Sequence, residues 1–276
     1  MLPVAAGAGS TGPMPVLLAL LAVLLAGREA AATITINLNA ETHKEENVAL
    51  TVAAENSGDE AARDVEPEVI YQGKLTRGDA LAALERGARH EWKFDLPLPP
   101  GPGTFPMTIR MHYADANGYP LSALLVHLVR TPGPAGPVRP TLSAGAMARF
   151  ANARLLLENP GPQPVAGRVA VVLPSEFRTE PESMPAQVPP QGRVEVPFVV
   201  QNGSALTGSV YPVYAIFEYD LGGNHQTVVS DTSIKVVAIE PSQRRPMLIG
   251  VAALAAVIVV FGFALRRAGR RRGAPA

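Results

Sequence analysis

The chain has no cysteine. Disulfides, cysteine-ligated zinc, iron–sulfur clusters, thiol catalysis and a cysteine-ligated blue copper centre are therefore excluded. So is a lipoprotein anchor, which needs a lipidated cysteine. Aromatic residues are scarce, at 5% with one tryptophan, which counts against a sugar-stacking platform. Net charge is missing too: 24 Lys and Arg balance 24 Asp and Glu, so nothing global points to nucleic acid or to an acidic partner. Catalytic signatures are equally sparse. There is no G-x-S-x-G or S-x-x-K for a serine nucleophile, and no glycine-rich phosphate loop follows a strand and opens a helix. Paired carboxylates such as Glu45-Glu46 and Glu180…Glu182 sit in polar loops, where solvation explains them.

What the chain does have is an apolar run near each end. Pro15 to Gly27 is about a dozen residues, the length of a signal-peptide core and short for a membrane span. Ala30-Ala31-Ala32 then places small residues before a cut at Thr33, so residues 1–32 read as a signal peptide. No Lys or Arg precedes that run, and an uncleaved signal anchor is the alternative. The second run, residues 247–265, is uncharged and just long enough to cross ~30 Å of hydrocarbon. Arg266, Arg267, Arg270, Arg271 and Arg272 follow it with no acid among them, against Arg244 and Arg245 on the other flank. By the positive-inside rule residues 266–276 form a cytoplasmic tail and everything earlier is translocated, in a periplasmic or extracellular location. The order of short segment, apolar run and arginine cluster is also similar to a processed sorting signal, although Ile239-Glu240-Pro241 lacks the first proline of V-P-E-P.

Between these ends the apolar residues alternate, or form short blocks bounded by Gly, Pro, Asn or Asp, which is the strand signature. Thr33–Leu38, Val48–Ala53, Trp92–Leu96, Met107–His112, Leu121–Val129, Arg168–Leu173, Val194–Val200, Val213–Tyr219 and Thr232–Val237 are expected strands. One short helix is expected, over Asp79–Glu85. Self-comparison adds a repeat. Glu55-Asn56-Ser57-Gly58 is echoed by Glu158-Asn159-Pro160-Gly161, and Gly87 with Trp92 and Phe94 by Gly192 with Val196 and Phe198. Phe105-Pro106-Met107 is echoed by Tyr211-Pro212-Val213, and Tyr113…Asp115…Gly118 by Tyr219-Asp220…Gly222-Gly223. Subtracting positions gives offsets of 103, 105, 106 and 106. Four echoes in one order indicate two copies of a unit of about 100 residues, each with the strand density of an immunoglobulin-like sandwich.

The expected architecture is all-β: two tandem immunoglobulin-like sandwiches at 33–130 and 141–240, plus one transmembrane helix. Residues 131–140 hold four prolines and are expected to act as a semi-rigid polyproline spacer. Pro106, Pro197 and Pro212 fall within expected strands and call for edge or bulge positions.

The E-N-x-G turn between strands, the glycine before an alternating strand and the closing Tyr…Asp…Gly hairpin resemble bacterial immunoglobulin-like modules of the CARDB-like and NPCBM-associated types. The resemblance covers residues 33–130 and 141–240. Its motifs are turn chemistry, and it implies adhesion, spacing or assembly roles in the envelope with no catalytic residues.

Candidate chemistry is thin. His43, His90, His112, His127 and His225 form no H-x-H, H-x-x-x-H or H-E-x-x-H pattern. His112 and Asp115, with Met107 and Met111 nearby, are the one conceivable copper or zinc cluster, against surface and core residues of one strand. Arg77-Gly78-Asp79 spells an integrin-binding tripeptide, or else places Asp79 as cap of the short helix. Asn202-Gly203-Ser204 is a glycosylation sequon only in a glycosylating host. The sequence thus indicates no cofactor, no metal and no nucleic acid. It indicates a non-enzymatic, single-pass envelope protein, a stalk, adhesion or docking module for another envelope or membrane protein. The alternatives are a glycan-binding module and, behind it, a metal-handling accessory subunit.

Overall fold

The computed structural model describes residues 34–238. The two apolar runs, the five arginines and the tail lie outside the described residues. Sixteen strands and no helix make up the described part.

The first sandwich uses β1 (Ile36–Lys44), β2 (Val48–Asn56), β3 (Ala62–Tyr71), β4 (Lys74–Arg77), β5 (Leu81–Leu84), β6 (Arg89–Leu96), β7 (Thr104–Ala114) and β8 (Pro120–Arg130). A sheet of order β1-β2-β6 faces one of order β4-β3-β7-β8, and β5 also pairs with β3. The second sandwich uses β9 (Arg139–Ala144), β10 (Phe150–Asn159), β11 (Val165–Val172), β12 (Phe177–Thr179), β13 (Ser183–Val188), β14 (Gly192–Asn202), β15 (Val210–Leu221) and β16 (Asn224–Lys235). Its sheets run β9-β10-β14-β12 and β13-β11-β15-β16. Strand order is therefore repeated, β1-β2-β6 as β9-β10-β14 and β3-β7-β8 as β11-β15-β16, the immunoglobulin-like arrangement.

The pleat explains why these segments are strands. In β6, Trp92, Phe94 and Leu96 point inward while Glu91, Lys93 and Asp95 point to solvent. In β14, Val196, Phe198 and Val200 do the same. Each inward side chain contributes about 1.5–3 kcal/mol of burial. Two separate cores result, one around Leu50, Trp92, Met107 and Ile109, the other around Leu155, Leu157, Phe198 and Phe217.

The repeat extends to single atoms. Asn56 and Asn159 are both fully buried, at 0% and 1% exposure. The Asn56 side-chain amide donates to the carbonyls of Glu60 and Leu84, and its oxygen accepts from Gly58 N–H at 3.0 Å. Asn159 donates to Gln163 and Pro189 and accepts from Gly161 N–H at 3.0 Å. Each asparagine thus ties the turn after its strand to the segment before β6 or β14.

Two expectations are corrected. Asp79–Glu85 contains no helix: Leu81–Leu84 is β5, paired antiparallel with residues 62–65 of β3. Its Ala and Leu favour helix weakly, and three ladder positions on a neighbouring strand outweigh that preference. The proline-rich segment is not a spacer between separated sandwiches. Gly136 N–H donates to Gln226 Oε1 at 2.9 Å, Gln226 Nε2 donates to Pro134 O at 3.0 Å, and Val138 is buried in the second core. A Cβ on Gly136 would stand 1.9 Å from the Tyr219 hydroxyl, so only glycine allows this approach.

The three prolines occupy local edges. β3 pairing with β7 ends at Met107, β12 pairing with β14 starts at Val200, and β11 pairing with β15 ends at Tyr214. Pro106 lies one residue, Pro212 two and Pro197 three past one neighbour's reach, so each sits where its strand is paired on one side only.

The chain reverses at residues 131–138, and the sandwiches lie side by side. In the first, Ile36 opposite Asn56 and Ala114 opposite Pro120 define one end. In the second, Phe150 opposite Gln201 and Val210 opposite Lys235 define the same end, because the Tyr119 hydroxyl donates to the Ser204 carbonyl there. At the other end His225 N–H donates to Pro102 O at 3.1 Å and Thr227 Oγ1 to Thr104 O at 2.7 Å. Residues 34 and 238 therefore share one end, called near below, and the reversal marks the far end. At ~3.3 Å per residue, strands of 12 residues make the paired sandwiches about 40 Å tall rather than twice that.

Candidate functional site

The polar groups that sequence patterning leaves unexplained gather along the seam between the sandwiches. Its centre is Glu176, 1% exposed, in the turn between β11 and β12. Phe177 N–H closes that turn onto Pro174 O at 3.0 Å. The Glu176 carboxylate crosses to β8, accepting from Ser122 N–H at 2.8 Å and from Ser122 Oγ at 2.6 Å. Ser122 Oγ in turn accepts from Ser175 N–H at 2.9 Å, which closes a ring of hydrogen bonds between the domains. Burial above all, with the Glu176 carboxylate adding to it, pushes the Tyr113 hydroxyl well above the ordinary phenol range, and so keeps it neutral.

Beside this ring Arg110 on β7 donates to Glu68 Oε1 at 3.0 Å and to Leu173 O of the second sandwich at 3.2 Å. Glu68 is itself buried and also faces Arg77 at 3.6 Å and His112 at 3.7 Å. A cleft of about 310 Å³ opens here, lined by Arg110, Leu173, Arg178, Thr179 and Glu182. Arg110 Nε and Thr179 Oγ1 are buried beside it without a hydrogen-bond partner.

The far end of the seam is held by His225. Its Nδ1 lies 3.0 Å from Asp220 Oδ1 and its Nε2 3.2 Å from Glu218 Oε1, while the ring stacks on Phe105 of the first sandwich at 4.8 Å. Gly103 bridges to His225 with φ at 134°, and a Cβ there would meet the His225 carbonyl at 1.9 Å. A second cleft, about 450 Å³, sits at the far end of the second sandwich between Arg139, Glu158, Gln191 and Arg193.

The residues singled out from sequence are dispersed. Met107 and Met111 point into the first core, whereas His112 lies on the opposite face of β7 beside Glu68. Asp115 is spent on the hairpin: it accepts from Tyr119 N–H at 2.7 Å and Asn117 N–H at 2.9 Å, and these bonds hold its carboxyl below the ordinary range. Among the described residues no three His, Cys, Asp or Glu side chains come together to hold a metal ion. Arg77 ends β4 facing Glu66 and Glu68, and the Asp79 carbonyl accepts from Trp92 Nε1 at 2.8 Å. The tripeptide is thus built into the first sandwich. Asn202 brackets its own turn, accepting from Ala205 N–H at 2.7 Å. His90 packs edge-on against Trp92, and His127 meets Thr42 Oγ1 at 3.2 Å. Glu176 and Ser122 carried no local signal, since each reads as a polar residue of a loop or of a solvent-side strand position.

Neither a family model nor a curated protein matches the chain. Among solved structures, the native conformation of E. coli alpha-2-macroglobulin is similar over 73% of this chain and 17% of that one, at 11% identity and a TM-score of 0.31. Salmonella alpha-2-macroglobulin reacted with methylamine is similar over 74% and 16%, at 12% and 0.30. Red sea bream transglutaminase is similar over 79% and 33%, at 13% and 0.25. The chain spans a third or less of each of these proteins, and at such scores the likenesses carry no argument. The fold assignment rests on the strand order above.

Proposed function

We propose that this chain is a membrane-anchored docking module of the cell envelope that presents the far end of a paired immunoglobulin-like ectodomain to another envelope protein. The observation that carries this reading is the side-by-side packing. With residue 238 at the near end and the run 247–265 as anchor, the far-end loops face away from the membrane on a base stiffened by the Glu176–Ser122 ring. A stalk gains height by stacking domains end to end, and the reversal at 131–138 gives that height up. Breadth favours docking over spacing. The reading also keeps the likeness to CARDB-like and NPCBM-associated modules as a proposal about ancestry.

A glycan-binding role has less support. Phe150 is the only exposed aromatic among the described residues, so no stacking platform forms on one face.

Two experiments test the reading. Photo-crosslinkers at Gln191 and Gly222, on the far end, should capture a discrete envelope protein from intact membranes, while the same probe at Glu41 should not. A chain ending at Glu240 should be released from the membrane into the exported compartment. Retention would replace the C-terminal anchor with an N-terminal one, and uniform capture at all three positions would remove the docking surface.

A further inference from the structure

The near end of the second sandwich is built differently from every other end of the molecule. Seven large hydrophobic residues are exposed: Leu75, Leu98, Phe150, Val199, Leu206, Val210 and Val237. Four of them, Phe150, Leu206, Val210 and Val237, belong to three segments that converge there. Met147 N–H donates to Lys235 O at 2.9 Å and Val237 N–H to Met147 O at 2.7 Å. Gly208 N–H donates to Val236 O at 2.8 Å and Asn202 N–H to Arg149 O at 2.9 Å. Residues 144–150, 202–210 and 233–238 contain no carboxylate, while Arg149 and Lys235 are exposed among them. The far end of the same sandwich carries Glu158 and Asp220 and none of the seven.

We propose that this end, with Phe150, Leu206, Val210 and Val237 as its rim, rests on the phospholipid surface, its apolar side chains in the headgroup boundary and Arg149 and Lys235 against anionic headgroups. The proposal rests on the membrane-anchor reading. The chain leaves the sandwich at this end, and eight residues separate Ala238 from Met247, at most about 30 Å of extended chain. An end so close to an apolar run lies within reach of the bilayer. Apolar rims flanked by basic residues partition into that boundary, and acidic ones do not. The first sandwich shares the near end but offers Glu60 and Asp115 there, so the contact is one-sided and fixes the rotation of the pair about the membrane normal.

The absence of cysteine makes the test clean. In the full chain, reconstituted in phosphatidylcholine vesicles with about a quarter phosphatidylglycerol, single Phe150→Cys, Val210→Cys and Leu98→Cys variants would each carry one bimane label. Lipids with a spin label high on the acyl chain should quench the label at 150 and at 210 by about half or more, and leave 98 nearly unchanged. Equal, weak quenching at all three sites in chain that co-floats with the vesicles overturns the proposal while leaving the anchor standing. Chain that does not co-float overturns the anchor reading itself. Protection at 150 that persists in detergent and rises with protein concentration overturns the proposal in favour of a second copy on this rim.

Discussion

Replacing Ser122 by alanine should loosen the two sandwiches from each other. The hydroxyl donates to Glu176 Oε2 at 2.6 Å and accepts from Ser175 N–H at 2.9 Å; Glu176 is buried in the seam, whereas Ser175 is exposed. Losing a hydrogen bond to a charged group costs about 1.5–3 kcal/mol, and losing a neutral one about 0.5–1.5 kcal/mol. A total of about 2–4 kcal/mol follows, chiefly because the buried Glu176 oxygen is left without a substitute. In a protein of this size each kcal/mol lowers Tm by about 2–4 °C, so a fall of roughly 5–15 °C is expected. Glu176→Gln should be damaging in its own way. Its new NH₂ must face either Ser122 N–H, donor against donor, or the Ser122 hydroxyl, which must then turn its own proton away. Ser143→Ala is the control, since that exposed hydroxyl reaches only Arg154 O at 3.5 Å, and it should stay within about 0.5 kcal/mol of the parent. The assay is urea and thermal unfolding of residues 33–240, read by the emission of Trp92 in the first sandwich and by calorimetry for both. The parent should unfold in one transition and Ser122→Ala in two. A variant within about 0.5 kcal/mol of the parent, with a single transition, would refute the claim that this ring couples the domains.

Other outcomes follow from the same structure. Asn56→Ala and Asn159→Ala each leave two carbonyls and one N–H without the side chain that served them, and each should cost about 2–4 kcal/mol by denaturant titration. Spin-label distances should give the sign of the domain arrangement: the pair Ala116→Cys and Leu206→Cys should lie closer than Glu46→Cys and Leu206→Cys by up to about 30 Å, a strand length. End-to-end sandwiches would reverse that order. His127 should set part of the pH dependence. Burial first, and the Arg130 charge second, hold its imidazole below the ordinary value of 6.5. The unfolded chain therefore takes up a proton at a pH where the native chain does not. The contribution is fully present above about pH 6.5 and is lost as pH falls toward the lowered native value. Urea midpoints for His127→Gln should be flatter than the parent's across that window, and an unchanged slope would remove His127 as the cause.

Much of each sandwich was legible in the sequence because a half-buried strand writes its inner face as alternation. Trp92, Phe94 and Leu96 announce β6, and the asparagine echo found the repeat because both copies need one amide to bind the same three backbone groups. The segment Asp79–Glu85 misled for a physical reason: its leucines are spaced as a helix would space them, and only the presence of β3 beside it makes a strand. The seam was illegible for a different reason. Ser122, Thr108 and Thr227 occupy outward positions where polar residues are ordinary, and only the other domain's approach buries them. A pattern within one strand records which face is covered by its own sheet partner and carries nothing about a neighbour about 100 residues away. The spacer expectation for 131–140 failed on the same ground, since proline content reports stiffness and is silent about direction.

The reversal at residues 131–138 also decides how the paired sandwiches would transmit tension. If the chain is anchored beyond residue 238, a pull on the far-end loops of the second sandwich travels down β15 and β16 to the anchor, along the strands, where many ladder bonds must shear at once. A pull on the near end of the first sandwich takes another route. It must climb that domain, turn through the proline segment and descend the second, and on the way it opens the seam one contact after another, from Tyr119 and Ser204 through Glu176 and Ser122 to Phe105 and His225. The same anchored molecule would therefore be stiff to a pull on one domain and unzip under a pull on the other.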